Sequence, residues 1–275
     1  MAKHTKNGEV GMIALEHIDK TFYKGTVNEN YVIKNLSLKV SKGDFITVIG
    51  SNGAGKTTLL NLISGNIFPD TGKIFVEDLD VTRVPEYKRA RYIGRIFQNP
   101  LRGTAGNMSL EDNMIICHKK GFKGLKISLN ANTRNIFREK LEILGMGLEN
   151  RLKDNVGLLS GGQRQALTLL MMVLSQPSLV LLAEHTAALD PKNAELVLGL
   201  TDRFVREYDL TTMMITHNMH HAIQFGNRLL MMDGGEIILD VSGEEKKKLT
   251  VEKLVAKFHE IKKRDFESDE VLLSE

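Results

Sequence analysis

The residues Gly50-Ser51-Asn52-Gly53-Ala54-Gly55-Lys56-Thr57 carry the most chemistry in this sequence. They match GxxxxGK[ST] at each fixed position. Glycines let backbone N–H groups turn inward around phosphate oxygens, and a helix opening behind them aims its positive end at the same place. The Lys56 ammonium would reach β- and γ-phosphates, and the Thr57 hydroxyl would bind Mg²⁺. Both flanks suit the motif. Phe45-Ile46-Thr47-Val48-Ile49 reads as a buried strand, and Thr58-Leu59-Leu60-Asn61-Leu62-Ile63 can open the helix. The expected ligand is a nucleoside triphosphate. Far downstream, Leu159-Ser160-Gly161-Gly162-Gln163 places small residues at the start of a helix predicted over Gln163–Leu174. Ser160, Gly161 and Gly162 can uncover N–H groups at that helix start, a second anion-binding terminus. His217, His220 and His221 have the spacing of a metal pair, but no cysteine or carboxylate cluster accompanies them in the sequence.

A scaffold must hold these groups, and the apolar runs outline it. Phe45–Ile49, Leu179–Leu182 and Met213–Ile215 read as buried strands, each followed by a loop and a helix-compatible segment. That is the pattern of a parallel α/β sheet. Short alternating segments around Ile13-Ala14-Leu15 and from Val32 to Val40 predict a small antiparallel sheet laid on it. Between about residues 100 and 165 the chain turns helix-rich, with helices predicted over Leu110–Ile116 and Arg134–Leu144 around the basic loop Lys119–Lys126. This block reads as a helical subdomain inserted in the α/β core. Val251, Leu254, Val255, Phe258 and Ile261 share one face of a last helix, and the acidic end, Glu267–Glu275, is expected to fray.

Composition narrows the class. A chain of 275 residues with 42% hydrophobic and 26% charged residues is an ordinary globular protein, neither disordered nor fibrous. A net charge of +3 gives no ground for a nucleic-acid partner. The single cysteine, Cys117, points to a reducing compartment. Met1–Asn7 lacks a signal-peptide core, and Ser175-Gln176-Pro177 interrupts the most apolar stretch, Ala166–Ala183, before it reaches the ~20 residues of a membrane span.

With a phosphate loop followed by LSGGQ, the chain resembles the ATP-binding cassette (ABC) ATPases from about Met12 to Asp240. The resemblance implies a P-loop core with a parallel sheet, an N-terminal antiparallel β-subdomain and an inserted helical subdomain. It places the ATPase domain over residues 12–242 and a C-terminal helical extension over residues 243–275. It implies ATP and Mg²⁺ as ligands, held by Gly50 through Thr58 with Phe22 or Tyr23 stacked on adenine. Gln98 would touch Mg²⁺ and the attacking water, Glu184 would be the general base, and His217 would contact the γ-phosphate. Ser160, Gly161, Gly162 and Gln163 would face the ATP of the opposite subunit, with Asp190 on the loop crossing the interface. The implied assembly is a homodimer with two ATP at its interface. It would bind integral-membrane permease subunits on the cytoplasmic face and, through them, a solute-binding protein.

Two positions depart from the family. Ala183 stands where an aspartate usually orients the Mg²⁺ water shell, and His185 where proline is commoner. The stretch Glu184–Pro191 and the stretch Pro100–Met108 resemble those of a bacterial subgroup of amino-acid-type importers, some associated with tryptophan or tyrosine uptake. The leading expectation is therefore the ATPase subunit of an importer, hydrolysing weakly because of Ala183. The alternatives are a scaffold ATPase of the iron–sulfur assembly type and a regulatory cassette that binds ATP and acts by dimerising.

Overall fold

The computed structural model describes residues 11–118 and 129–260. The expectations placed on Met1–Asn7, on Lys119–Lys126, on Ile261 and on Glu267–Glu275 lie outside the described residues. In chain order, β1 (Gly11–Phe22) and β2 (Asn30–Ser41) lead to β3 (Phe45–Gly50) and helix α1 (Lys56–Ser64). β4 (Thr71–Val76), β5 (Leu79–Asp80), α2 (Glu86–Arg89) and β6 (Ile93–Ile96) follow. After a short 3₁₀ turn at Pro100–Gly103 come α3 (Leu110–His118), α4 (Ala131–Glu142) and α5 (Gly161–Leu174). The chain continues through β7 (Leu179–Ala183), α6 (Pro191–Glu207), β8 (Thr211–Ile215) and α7 (Met219–Gln224). Last come β9 (Arg228–Asp233), β10 (Glu236–Ser242), α8 (Gly243–Lys247) and α9 (residues 251–260).

The expected antiparallel sheet is present, in the order β2-β1-β4-β5. Its inner face buries Ile13, Leu15, Ile33, Leu36, Leu38 and Val40, the period of a half-covered strand. The larger sheet runs β10-β9-β3-β8-β7-β6 and is parallel except where β10 returns beside β9. β3, β7 and β8 are apolar almost without interruption because both faces are covered. These three strands are neighbours, so the loops at their C-terminal ends open side by side.

Helix boundaries differ from the sequence reading for local reasons. The segment expected to start at Arg134 begins at Ala131, because the Asn130 side chain accepts a hydrogen bond from the Thr133 N–H. The helix expected to start at Gln163 begins at Gly161 with Ser160 as its cap. Leu110, Met114, Phe137 and Leu141 of the helical block share one apolar cluster with Leu167 and Leu170 of α5 and Phe204 of α6. The block is thus continuous in packing with the sheet's outer helices. Arg89 is buried below α1 and donates to the carbonyls of Leu62, Ile63, Val81 and Val84, tying down the end of the phosphate-loop helix; burial lowers its pKa to about 10. No helix among the described residues is long and apolar enough to cross a membrane.

Candidate nucleotide site

The structure brings Phe22, Tyr23, Asn52 through Thr58, Glu184 and His217 to the walls of one open cleft of about 450 Å³. The loop between β3 and α1 forms its floor. Gly50 has φ +148°, and a Cβ there would lie 2.0 Å from the Met232 carbonyl oxygen. Gly55 has φ +94°, and a Cβ would come within 2.7 Å of Ile33 and 2.9 Å of the Val32 carbonyl oxygen. Only glycine fits such close backbone approaches. Lys56 Nζ donates to the carbonyls of Gly50 and Ser51, each at 2.8 Å, so the loop folds around its own cation. Burial lowers the Lys56 pKa, and the nearby Glu184 carboxylate partly opposes that shift. Ser51 Oγ donates to Asp233 Oδ1 at 2.7 Å, fastening the loop to β9.

Asn30 and Val32 also line the cleft, which sequence reasoning missed. They arrive by pairing across the antiparallel sheet, where Asn30 faces Phe22. Phe22 is half-buried with Lys20 Nζ 5.5 Å from its ring centroid, while Tyr23 is 72% exposed in a left-handed turn with φ +54°. Both rings line the cleft.

Glu184 follows β7 with φ +49°, a costly conformation for a residue bearing a Cβ, held by its N–H to the Ile215 carbonyl at 3.2 Å. Its Oε1 lies 2.8 Å from His217 Nε2. The candidate base and the candidate γ-phosphate contact therefore hold each other. His185 points the other way, 2% exposed, with Nε2 3.0 Å from Thr201 Oγ1. The Thr201 hydroxyl donates its one proton to the Val197 carbonyl at 2.8 Å, so His185 must carry its proton on Nε2. Burial pushes its pKa down to about 4, keeping it neutral. His221 pairs with Glu195 at 3.0 Å.

The remaining expected residues do not line this cleft. Gln98 is exposed between β6 and the Pro100–Gly103 turn. Ser160 Oγ accepts from the Gln163 N–H while Gln163 Oε1 accepts from the Ser160 N–H, a reciprocal cap that occupies the Gln163 side chain. Gly161 and Gly162 then supply the helix-start amides without intrahelical partners. Gly162 packs on Asn193, whose amide binds Asp190, so the α5 terminus and the Asp190 loop meet on one face. As Mg²⁺ donors, the Thr57 hydroxyl and the Glu184 carboxylate share the cleft. Ala183 packs its methyl against the apolar cluster beneath the sheet and offers nothing. That set could hold a Mg²⁺ through Thr57 and the nucleotide's own phosphates, with Glu184 as the carboxylate in the cleft and none contributed by position 183.

Comparison with known proteins is consistent with this geometry. The family model described as ABC transporter matches residues 33–187. A tyrosine transport ATP-binding protein of Clostridioides difficile (strain R20291) is 43% identical over 248 residues, covering 90% of this chain and 98% of that protein. An energy-coupling factor transporter ATP-binding protein of Clostridium tetani (strain Massachusetts / E88) is 30% identical over 83% of this chain and 78% of its own length. Among solved structures, a dimeric post-hydrolysis ATP-binding cassette bound to ADP and Pi aligns with TM-score 0.70 at 25% identity, covering 84% of this chain and 98% of that one. The ADP conformation of an ABC transporter cassette aligns with TM-score 0.70 at 26% identity, covering 90% and 98%.

Proposed function

The chain belongs to the ABC transporter family as an ATP-binding, ATP-hydrolysing cassette, and from that premise we propose that it drives an amino-acid-type importer. In this reading it works as a homodimer on the cytoplasmic face, beneath separate permease subunits fed by a solute-binding protein. The tyrosine-transport relative supports the cargo class. One observation carries the mechanism: the phosphate loop, Glu184 and His217 converge on one cleft, while the Ser160–Gly162 terminus of the same chain lies outside it. A second copy is then needed to complete each site.

The phosphate-loop amides and Lys56 hold the β- and γ-phosphates, and Thr57 would hold the Mg²⁺, joined by Gln98 once its loop moves to the cleft. Bound Mg²⁺ would supply neutralisation of phosphate charge. Phe22 or Tyr23 stacks on the base. An arriving γ-phosphate draws His217 from Glu184, freeing the carboxylate to accept a proton from water attacking phosphorus. Without an aspartate at position 183 this turnover is slow. The test pairs pull-down from membranes with nucleotide binding by wild type and Lys56→Ala. Co-purification of a permease and loss of ATP binding in the variant are expected. Wild-type affinity in Lys56→Ala would overturn the phosphate-loop assignment, and a soluble partner in place of a permease would overturn the transport role.

A further inference from the structure

We infer that Gln165 is a positioning residue that couples the Gln98 loop to the Ser160–Gly162 terminus, and so links the two ATP sites that one chain serves. The inference rests on the nucleotide-site reading above. Gln165 lies in the second turn of α5 and is 1% exposed. Its Nε2 donates at 3.2 Å to the carbonyl of Phe97, the residue directly before Gln98. One turn further along the same helix face, Thr168 meets the far end of the loop. A Cβ on Gly103 would come within 2.4 Å of Thr168 Cγ2, so the Gly103 backbone is pressed against α5. The loop is fastened at both ends, with Gln98 and Asn99 exposed between.

The Phe97 ring is flanked by guanidiniums, Arg95 at 4.7 Å and Arg102 at 5.8 Å from its centroid, which steadies the residue that bears the accepting carbonyl. At the other end of the linkage, the reciprocal Ser160–Gln163 cap fixes where α5 starts. A displacement of the Gln98 loop is thereby passed to a rigid helix whose first amides are those of Gly161 and Gly162.

The unused half of the amide indicates two states. Gln165 Oε1 is buried and accepts no hydrogen bond among the described residues. A methionine would fill the same space without that penalty, so burying an amide here is costly unless Oε1 is met in another arrangement. The side chain can hold the loop through Nε2 to a carbonyl or through Oε1 to an N–H, and only the first is made here. Nucleotide in the cleft would draw Gln98 inward and favour the second.

Segment-resolved hydrogen exchange tests this on the full chain, dilute enough to stay monomeric, with and without Mg·ATP. In wild type, ATP should alter exchange both in residues 97–104 and in residues 159–166. In Gln165→Met the first response should persist, and the second should fall about fivefold. Thermal stability and ATP affinity should stay near wild type, which a merely structural role would not allow. Gly103→Ala, which forces the other end of the loop off α5, should give the same uncoupling if Gln165→Met fails to fold. An equal response of residues 159–166 in wild type and variant would overturn the inference, as would its absence in wild type when the phosphate loop is protected. Absence of any ATP effect, the phosphate loop included, would instead overturn the nucleotide-site reading on which the inference stands.

Discussion

Mild acid should destabilise this chain through one imidazole. His185 is enclosed between the Glu184 turn and α6, neutral, with its folded pKa near 4 against 6.5 for an open histidine. As pH falls, the unfolded chain therefore takes up a proton before the folded chain does. The stability associated with a neutral His185 is intact above about pH 6.5 and is lost progressively down to about pH 4. Linkage over that gap gives a loss of about 2 kcal/mol near pH 5 and roughly 3 kcal/mol at pH 4. That is a large share of the ~5–15 kcal/mol that holds a typical domain. The control is His185→Phe, which keeps a ring in the space and does not titrate. Thr201 retains its bond to the Val197 carbonyl in the variant, so its hydroxyl hydrogen stays satisfied. Urea unfolding followed by circular dichroism between about pH 7 and pH 5 should show wild type losing about 2 kcal/mol more than the variant. All carboxylates titrate in both proteins and cancel in the difference. Parallel curves would refute the reasoning, as would an imidazole resonance of His185 titrating near its open value.

Ala183→Asp should raise ATP turnover about tenfold or more and lower the Mg²⁺ requirement, measured with the permease over a Mg²⁺ titration; equal turnover at every concentration would mean another group supports the metal. Gly161→Asp should abolish ATP-dependent dimers in light scattering by setting a carboxylate against the facing γ-phosphate. Its own fold should survive, since a Cβ there meets only Leu189 Cδ2 at 3.4 Å, and an undiminished dimer would count against the shared site. Arg89→Met removes the guanidinium donor shared by the carbonyls of Leu62, Ile63, Val81, Thr82 and Val84, of which Leu62 and Val81 keep a backbone donor, and should cost about 3 kcal/mol in urea unfolding. A loss under about 1 kcal/mol would show that those carbonyls find other partners.

What was legible in the sequence is what is local. The phosphate loop and LSGGQ are contiguous, and their chemistry depends on spacing along the chain. β3, β7 and β8 announce themselves because burial on both faces makes them continuously apolar. The hairpin of β4 and β5 and the edge strands β6 and β10 do not, because half-exposed or interrupted strands such as Ile93-Gly94-Arg95-Ile96 carry little period. Asn30 and Val32 enter the cleft through cross-strand register, which no local pattern encodes. His185 reads in sequence as a polar residue beside a candidate base, yet it is buried and bonded to Thr201 of α6. The tether from Gln165 to Phe97 spans 68 positions and belongs to tertiary packing alone.

The distance between the phosphate-loop cleft and the Ser160–Gly162 terminus has a genetic consequence. In a dimer of the family's kind, each complete site draws its floor from one copy and its lid from the other. Defects in Lys56 and in Gly161 then obey complementation rules of their own. Carried on opposite copies of a mixed dimer, they fall in the same site and leave the second intact. Carried together on one copy beside a normal partner, they fall in different sites and leave none. Two alleles that are each inactive alone would thus restore half the sites where they meet, whereas the doubly altered allele would be dominant over wild type.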